Sequence, residues 1–161
     1  MTSFYRSAII CVLVALSSCG PREFDDSDRR ELVRRTLEIA LTEKKMPSYR
    51  LLKDTAHIVV STENIRADWL PSISQTTLIG ITLDSIQSLA NLDPDFYFLY
   101  FDPIELADNG DAVVSIRLVW AINRPALNLK RRDQYVTKLR LTFYRYQNSW
   151  KARPERVITI G

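Results

Sequence analysis

His57 is the only histidine in the chain, so imidazole chemistry, whether general acid–base work or metal ligation, has one candidate. Asp54 and Glu63 lie close enough in sequence to orient its ring. The residues that follow, His57 to Thr62, form a β-branched run that fits a pleated, partly buried surface, and a histidine at a strand end more often serves structure than catalysis. Two acidic pairs, Asp93 with Asp95 and Asp102 with Glu105, would make an acid–base or calcium site only if folding brought them together. Pro94 and Pro103 mark them as turn residues instead. Asp108-Asn109-Gly110-Asp111 offers oxygens to a cation, but it lacks the length and closing glutamate of an EF-hand loop and reads as a hairpin turn. The sequence holds no Gly-rich phosphate loop, nucleophile elbow or His-Glu-x-x-His pattern. No metal, cofactor or catalytic group is therefore expected.

The most distinctive polar chemistry is basic. Arg117, Lys138 and Arg140 fall on the polar face of two alternating segments, and the stretch between them carries Arg124, Lys130, Arg131 and Arg132. If the two segments pair, the first three side chains become cross-strand neighbours. Crowded like charges then call for an anionic partner: a phosphate-rich headgroup, an acidic glycan or an acidic protein surface of the cell envelope. The plainer alternative is a solvated face compensated by Asp133. A second candidate is an apolar cup between helix and sheet, lined by Trp69, Trp120 and His57 and holding a small ligand.

The first residues carry one basic side chain, Arg6, followed by an uncharged apolar run from Ala8 to Leu16, the layout of a secretory signal peptide. As a helix that run spans about 14 Å, roughly half of a ~30 Å hydrocarbon core, too little for a permanent membrane span. Leu16-Ser17-Ser18-Cys19-Gly20 then places an aliphatic residue and two small residues before a cysteine, which resembles the lipobox of bacterial lipoproteins. The resemblance implies cleavage before Cys19 and attachment of lipid to its thiol. Cys11 would leave with the leader, so Cys19 has no disulfide partner in the mature chain. Two or three acyl chains make a durable anchor, unlike the marginal hold of one. By the same resemblance, glycine rather than aspartate after the cysteine implies the outer membrane over the inner, with the domain in the periplasm or at the cell surface.

The expected organisation is a leader over 1–18, a lipidated tether over 19–26 and one domain over 27–161. The charged fraction of 25% and formal net charge of +3 describe an ordinary globule and do not call for nucleic acid. Asp28 with Glu31 predicts a capping box, followed by apolar Leu32, Val33, Leu37, Ala40 and Leu41 at helical spacing until Pro47. Arg29, Arg30, Arg34, Arg35 and Lys44 take the other side, read as a solvated face in preference to one held on headgroups. Residues 63–81 show poor patterning and predict an irregular excursion. Asp84 and Gln87 predict a second, short helix before Pro94.

Strands are expected at Phe96 to Phe101, Ile104 to Leu106, Ala112 to Ile122, Tyr135 to Tyr146 and Val157 to Ile160. Val114, Ile116, Leu118, Trp120 and Ile122 share one face, as do Leu139, Leu141 and Phe143. Phe96, Tyr97, Phe98, Tyr100 and Phe101 make a strand apolar on both faces, hence covered on both. The expected fold is α+β, with the N-terminal helix packed on a curved antiparallel sheet of about four to six strands. This element order looks loosely like the cone-shaped fold of nuclear-transport-factor-2-like domains. That fold hosts enzymes, ligand cups and interaction modules alike, so the likeness implies architecture only.

Overall fold

A computed structural model describes residues 24–52, 54–92, 96–122 and 135–160. Its first helix, α1, spans Asp26–Leu37 and runs on as a π-helical turn over Glu38–Thr42. The cap lies one turn earlier than Asp28. Asp25 Oδ1 accepts from the N–H groups of Ser27 and Asp28, at 2.9 and 3.0 Å, and Asp28 Oδ2 accepts from Asp25 N–H at 3.2 Å. Two overlapping box patterns compete here, Asp25 with Asp28 and Asp28 with Glu31. The earlier one wins because it leaves the Asp28 carboxylate, only 4% exposed, free to accept from the sheet as well.

The strands are β1 His57–Ser61, β2 Thr77–Ile81, β3 Phe96–Phe101, β4 Glu105–Leu106, β5 Ala112–Ala121, β6 Tyr135–Tyr146 and β7 Ser149–Ile160, with a second helix, α2, at Leu83–Leu92. They form one curved 7-stranded sheet in the order β2-β1-β3-β5-β6-β7, with β4 also on β5. The fold is α+β as expected. The sheet is mixed rather than wholly antiparallel, since β1 pairs parallel to both β2 and β3. β2 escapes sequence reading because Leu78 and Ile79 stand side by side in Thr77-Leu78-Ile79-Gly80-Ile81, so this edge strand carries no period-two apolar pattern, and none of its residues is fully buried. Gly80 is closely packed there: a Cβ would lie 2.9 Å from Leu70 Cδ1 and 3.2 Å from Ala67 Cβ, so Leu70 would have to shift.

α1 and its π turn cover one face. Leu32, Val33, Leu37 and Ala40 meet Ile58, Val60, Leu99, Phe101, Val114, Ile116, Leu118, Leu139, Leu141 and Phe143 in the main core, each large side chain contributing about 1.5–3 kcal/mol by leaving water. Alternation along β5 and β6 thus reads out as predicted. The opposite face is only half covered. There α2 sets Ile86 and Ala90 on Phe98 and Ala121, which makes β3 a strand buried on both sides. The α2 cap is Thr82 rather than Asp84, its Oγ1 accepting from Ser85 N–H at 3.3 Å.

Two hairpins close one end of the sheet. At Ala107 to Asp111, Gly110 takes φ +81° and its N–H donates to Ala107 O at 2.9 Å. Between β6 and β7, Gln147 at φ 55° turns the chain so that Tyr146 pairs with Ser149. β7 is longer than predicted and runs through Pro154, which an edge strand tolerates where the pairing register slips between Leu141 and Phe143.

Candidate functional site

β5 runs between the two ends of the sheet, ten residues or roughly 30 Å at 3.3 Å per residue. At the hairpin end the chain enters through Phe24. Its ring meets Trp150 edge to face, with centroids 6.1 Å apart. Trp150 Nε1–H donates to Asp28 Oδ1 at 3.1 Å and its backbone N–H to Glu31 Oε1 at 3.1 Å. Arg145 completes the joint, its Nη2 2.5 Å from Asp28 Oδ2 and its guanidinium 4.8 Å from the centre of the Trp150 ring. A helix start, two strands and the incoming chain are thereby locked through one buried carboxylate.

Beside this joint lies a cleft of about 670 Å³ lined by Phe24, Leu106, Tyr144, Arg145, Trp150 and Arg153. Arg153 forks onto Asp111, with contacts of 2.7 to 3.0 Å, and stands 5.1 Å from the Tyr144 ring centre. Lys151 stands 4.1 Å from that of Tyr146. Sequence reasoning missed this cluster, because Trp150 and Arg145 become partners only through the β6–β7 register. The spacing of aromatics and cations across Gln147-Asn148 was the available signal.

On the half-covered face Arg117 lies opposite Lys138 and Ser115 opposite Arg140, the crowding expected from sequence. The counter-charges come from residues read as turn carboxylates. Asp102 Oδ1 is 2.6 Å from Arg117 Nη2 and its Oδ2 2.8 Å from Lys138 Nζ, while Glu105 lies 3.7 Å from Arg140. Asp102 and Glu105 thus serve this face as counter-ions. Among the described residues no group of three His, Cys, Asp or Glu could hold a metal ion. No family model, curated protein or solved structure matches the chain.

The remaining candidates are scattered, and several lie outside the described residues. Arg124, Lys130, Arg131, Arg132 and Asp133, between β5 and β6, are among these, as are Asp93 and Asp95. His57 starts β1 in the open, its Nδ1 3.0 Å from Asp54 Oδ2. That hydrogen bond, followed by those from the N–H groups of Ala56 and His57, holds the Asp54 carboxyl below the ordinary aspartate range. Glu63 follows the far end of β1 and is not part of this pair. Trp120 stacks on Tyr97, centroids 6.5 Å apart, and Trp69 is buried in the main core. His57, Trp69 and Trp120 do not line one cup: alternation puts His57 and Trp120 on opposite faces, and Trp69 lies past the opposite end of β1. The helix–sheet interior is filled by side chains such as Phe101 and Phe143, both at most 1% exposed.

A second cleft, of about 630 Å³, opens between the π turn and the loop before β2, with Glu38, Thr42, Tyr49, Ser74, Gln75 and Thr76 among its lining residues. Lys44 and Gln75, both in positive φ, line it, and π turns are frequent at functional sites.

Proposed function

We propose that this chain is a lipid-anchored protein of the bacterial cell envelope, held at the membrane through Cys19, whose domain binds an envelope partner without catalysis. Localisation rests on the signal-peptide layout and the Leu16-Ser17-Ser18-Cys19 lipobox resemblance, and favours the outer membrane with the domain in the periplasm or at the cell surface. The observation that carries the reading is the Phe24–Trp150–Asp28 joint. On this reading a tether that precedes Phe24 would reach the hairpin end, and the sequence stretch with Lys130, Arg131 and Arg132 connects β5 to β6, whose adjoining ends lie at the other end of the sheet. An anionic glycan or an acidic envelope protein fits that stretch. Arg117, Lys138 and Arg140 contribute less than their number suggests, because Asp102 and Glu105 already answer their charge.

The test is fractionation of cells making the wild-type chain or Cys19→Ala, followed by crosslinking of the membrane-bound form. Wild type in the membrane fraction, Cys19→Ala released, and a crosslinked partner lost on reversing Lys130, Arg131 and Arg132 to glutamate would support the reading. Equal partition of the two chains would overturn its localisation, and a partner indifferent to charge reversal would overturn its binding surface.

The cleft beside the π turn, lined by hydroxyls and by Glu38, Glu43 and Lys44, favours a second reading, a site for a small ligand rich in hydroxyl groups. Its size falls within the range of small-molecule sites, and its lining mixes one aromatic ring with side-chain donors and acceptors. Thr42→Trp, which would fill the cleft, should abolish a thermal shift given by such a ligand while leaving the crosslink intact; a shift that survives it would place the ligand elsewhere.

A further inference from the structure

We propose that the hairpin end is a membrane-contact surface, with the aromatic–arginine cleft seated on the headgroup layer that holds the anchor. The inference rests on the lipid-anchor reading and adds to it an orientation and a contact. Cys19 and Phe24 are five positions apart, and five residues in any conformation reach at most about 18 Å. Phe24 is itself a wall of the cleft, so the acyl attachment cannot leave this surface by more than that distance. A tether this short keeps one end of the domain beside the bilayer and the other, about 30 Å away along β5, in water.

The chemistry of the surface matches the interface. Tyrosine and tryptophan rings with lysine and arginine beside them are the side chains that settle at headgroup depth, rings among the upper acyl carbons and cations on phosphate. Here two such pairs stand at the surface of one hairpin, Arg153 with Tyr144 and Lys151 with Tyr146, while Trp150, 3% exposed beneath Arg145, belongs to the core and braces the strands that carry them. Leu106 and Tyr146, each 49% exposed, stand at the rim. Each arginine also faces a carboxylate, Asp28 or Asp111, so the surface is close to charge-balanced. It suits the zwitterionic and polar part of a bilayer and does not depend on a surplus of anionic lipid. Exposed Leu92, 84% exposed on α2, precedes the start of β3 and lies at the opposite end, a built-in control.

The mature chain read from the lipobox keeps no thiol except the lipidated one, so an added cysteine would be its only labelling site. Leu106→Cys and Leu92→Cys, each carrying an environment-sensitive fluorophore, are purified as the membrane-borne form and placed in vesicles of phosphatidylethanolamine with a minor fraction of phosphatidylglycerol, with or without brominated acyl chains. The expected result is a blue-shifted label at 106, quenched several-fold more by brominated lipid than the label at 92, and unchanged by salt that collapses the Debye length to about 3 Å. Equal quenching at both positions overturns the contact, and protection at 106 that vanishes in salt overturns its interfacial character. Intact mass of the same preparation separates the two levels: an acylated chain with equal quenching sinks this inference alone, whereas a chain without acyl mass sinks the anchor reading and this inference together.

Discussion

The two ends of the domain are built on different principles. At the hairpin end each charged side chain of the joint has a buried partner and a ring beside it, with Asp28 receiving Arg145 and the Trp150 indole, and Asp111 holding Arg153. At the other end polar groups stand in water, as His57 and Asp54 do with side chains 61% and 60% exposed. A carboxylate sealed among donors couples elements into one body, because removing it strands the groups it served. An exposed pair of similar length, in contrast, is screened and organises only its own loop. The hairpin end is therefore a mechanical joint, whereas the described pair at the other end, His57 with Asp54, stands open to solvent.

The largest expected effect breaks the joint. Asp28→Ala leaves the Trp150 indole N–H and the Arg145 guanidinium without their buried acceptor, and should cost about 2–4 kcal/mol in denaturant unfolding. A loss near zero would mean that the joint does not hold the two strands to α1. Asp102→Ala, on the face between the two ends, should cost about 1–2 kcal/mol, its partners being partly solvated. It should also turn Arg117 and Lys138 into an anion site, read as tighter retention on a sulfated matrix. Phe24→Ala removes a half-buried ring and its edge-to-face contact, about 1 kcal/mol, and its sharper readout is faster proteolysis ahead of residue 26.

The smallest effect is at the open end and depends on pH. Asp54 has a depressed pKa in the folded state, so its contribution is complete above the unfolded aspartate value and is lost as pH falls through the lower, folded value. Amide-exchange protection at Ala56 and His57 should fade only in that acidic window. Fading at neutral pH instead would show that Asp54 is not what holds those amides.

Much of the scaffold is legible in the residues. Strict alternation in Val114-Ser115-Ile116-Arg117-Leu118 assigns both faces of β5 because the main core is wide and continuous. The two-sided apolar pattern of Phe96 to Phe101 announces cover on both sides, which α1 and α2 supply. Less was legible where two local signals compete or where a partner is remote. Asp25 and Asp28 both begin capping patterns, and tertiary burial of Asp28 decides between them. β2 pairs parallel to β1 after a long irregular connection, and nothing local to Thr77-Leu78-Ile79-Gly80-Ile81 reveals that pairing. The basic face was legible as positions but not as charge, since Asp102 and Glu105 reach Arg117, Lys138 and Arg140 across strands. The aromatic–arginine cleft depends on the register of β6 against β7 and on a helix more than a hundred residues away in sequence, so only folding assembles it.

The anchor beneath these comparisons is tested most directly by the intact mass of the protein taken from its native membrane fraction, beside that of Cys19→Ala. A chain beginning at Cys19 with added acyl mass, absent from the variant, is the expected result. An uncleaved or unacylated chain in that fraction would contradict it, and would remove the reason to set the hairpin end against a membrane.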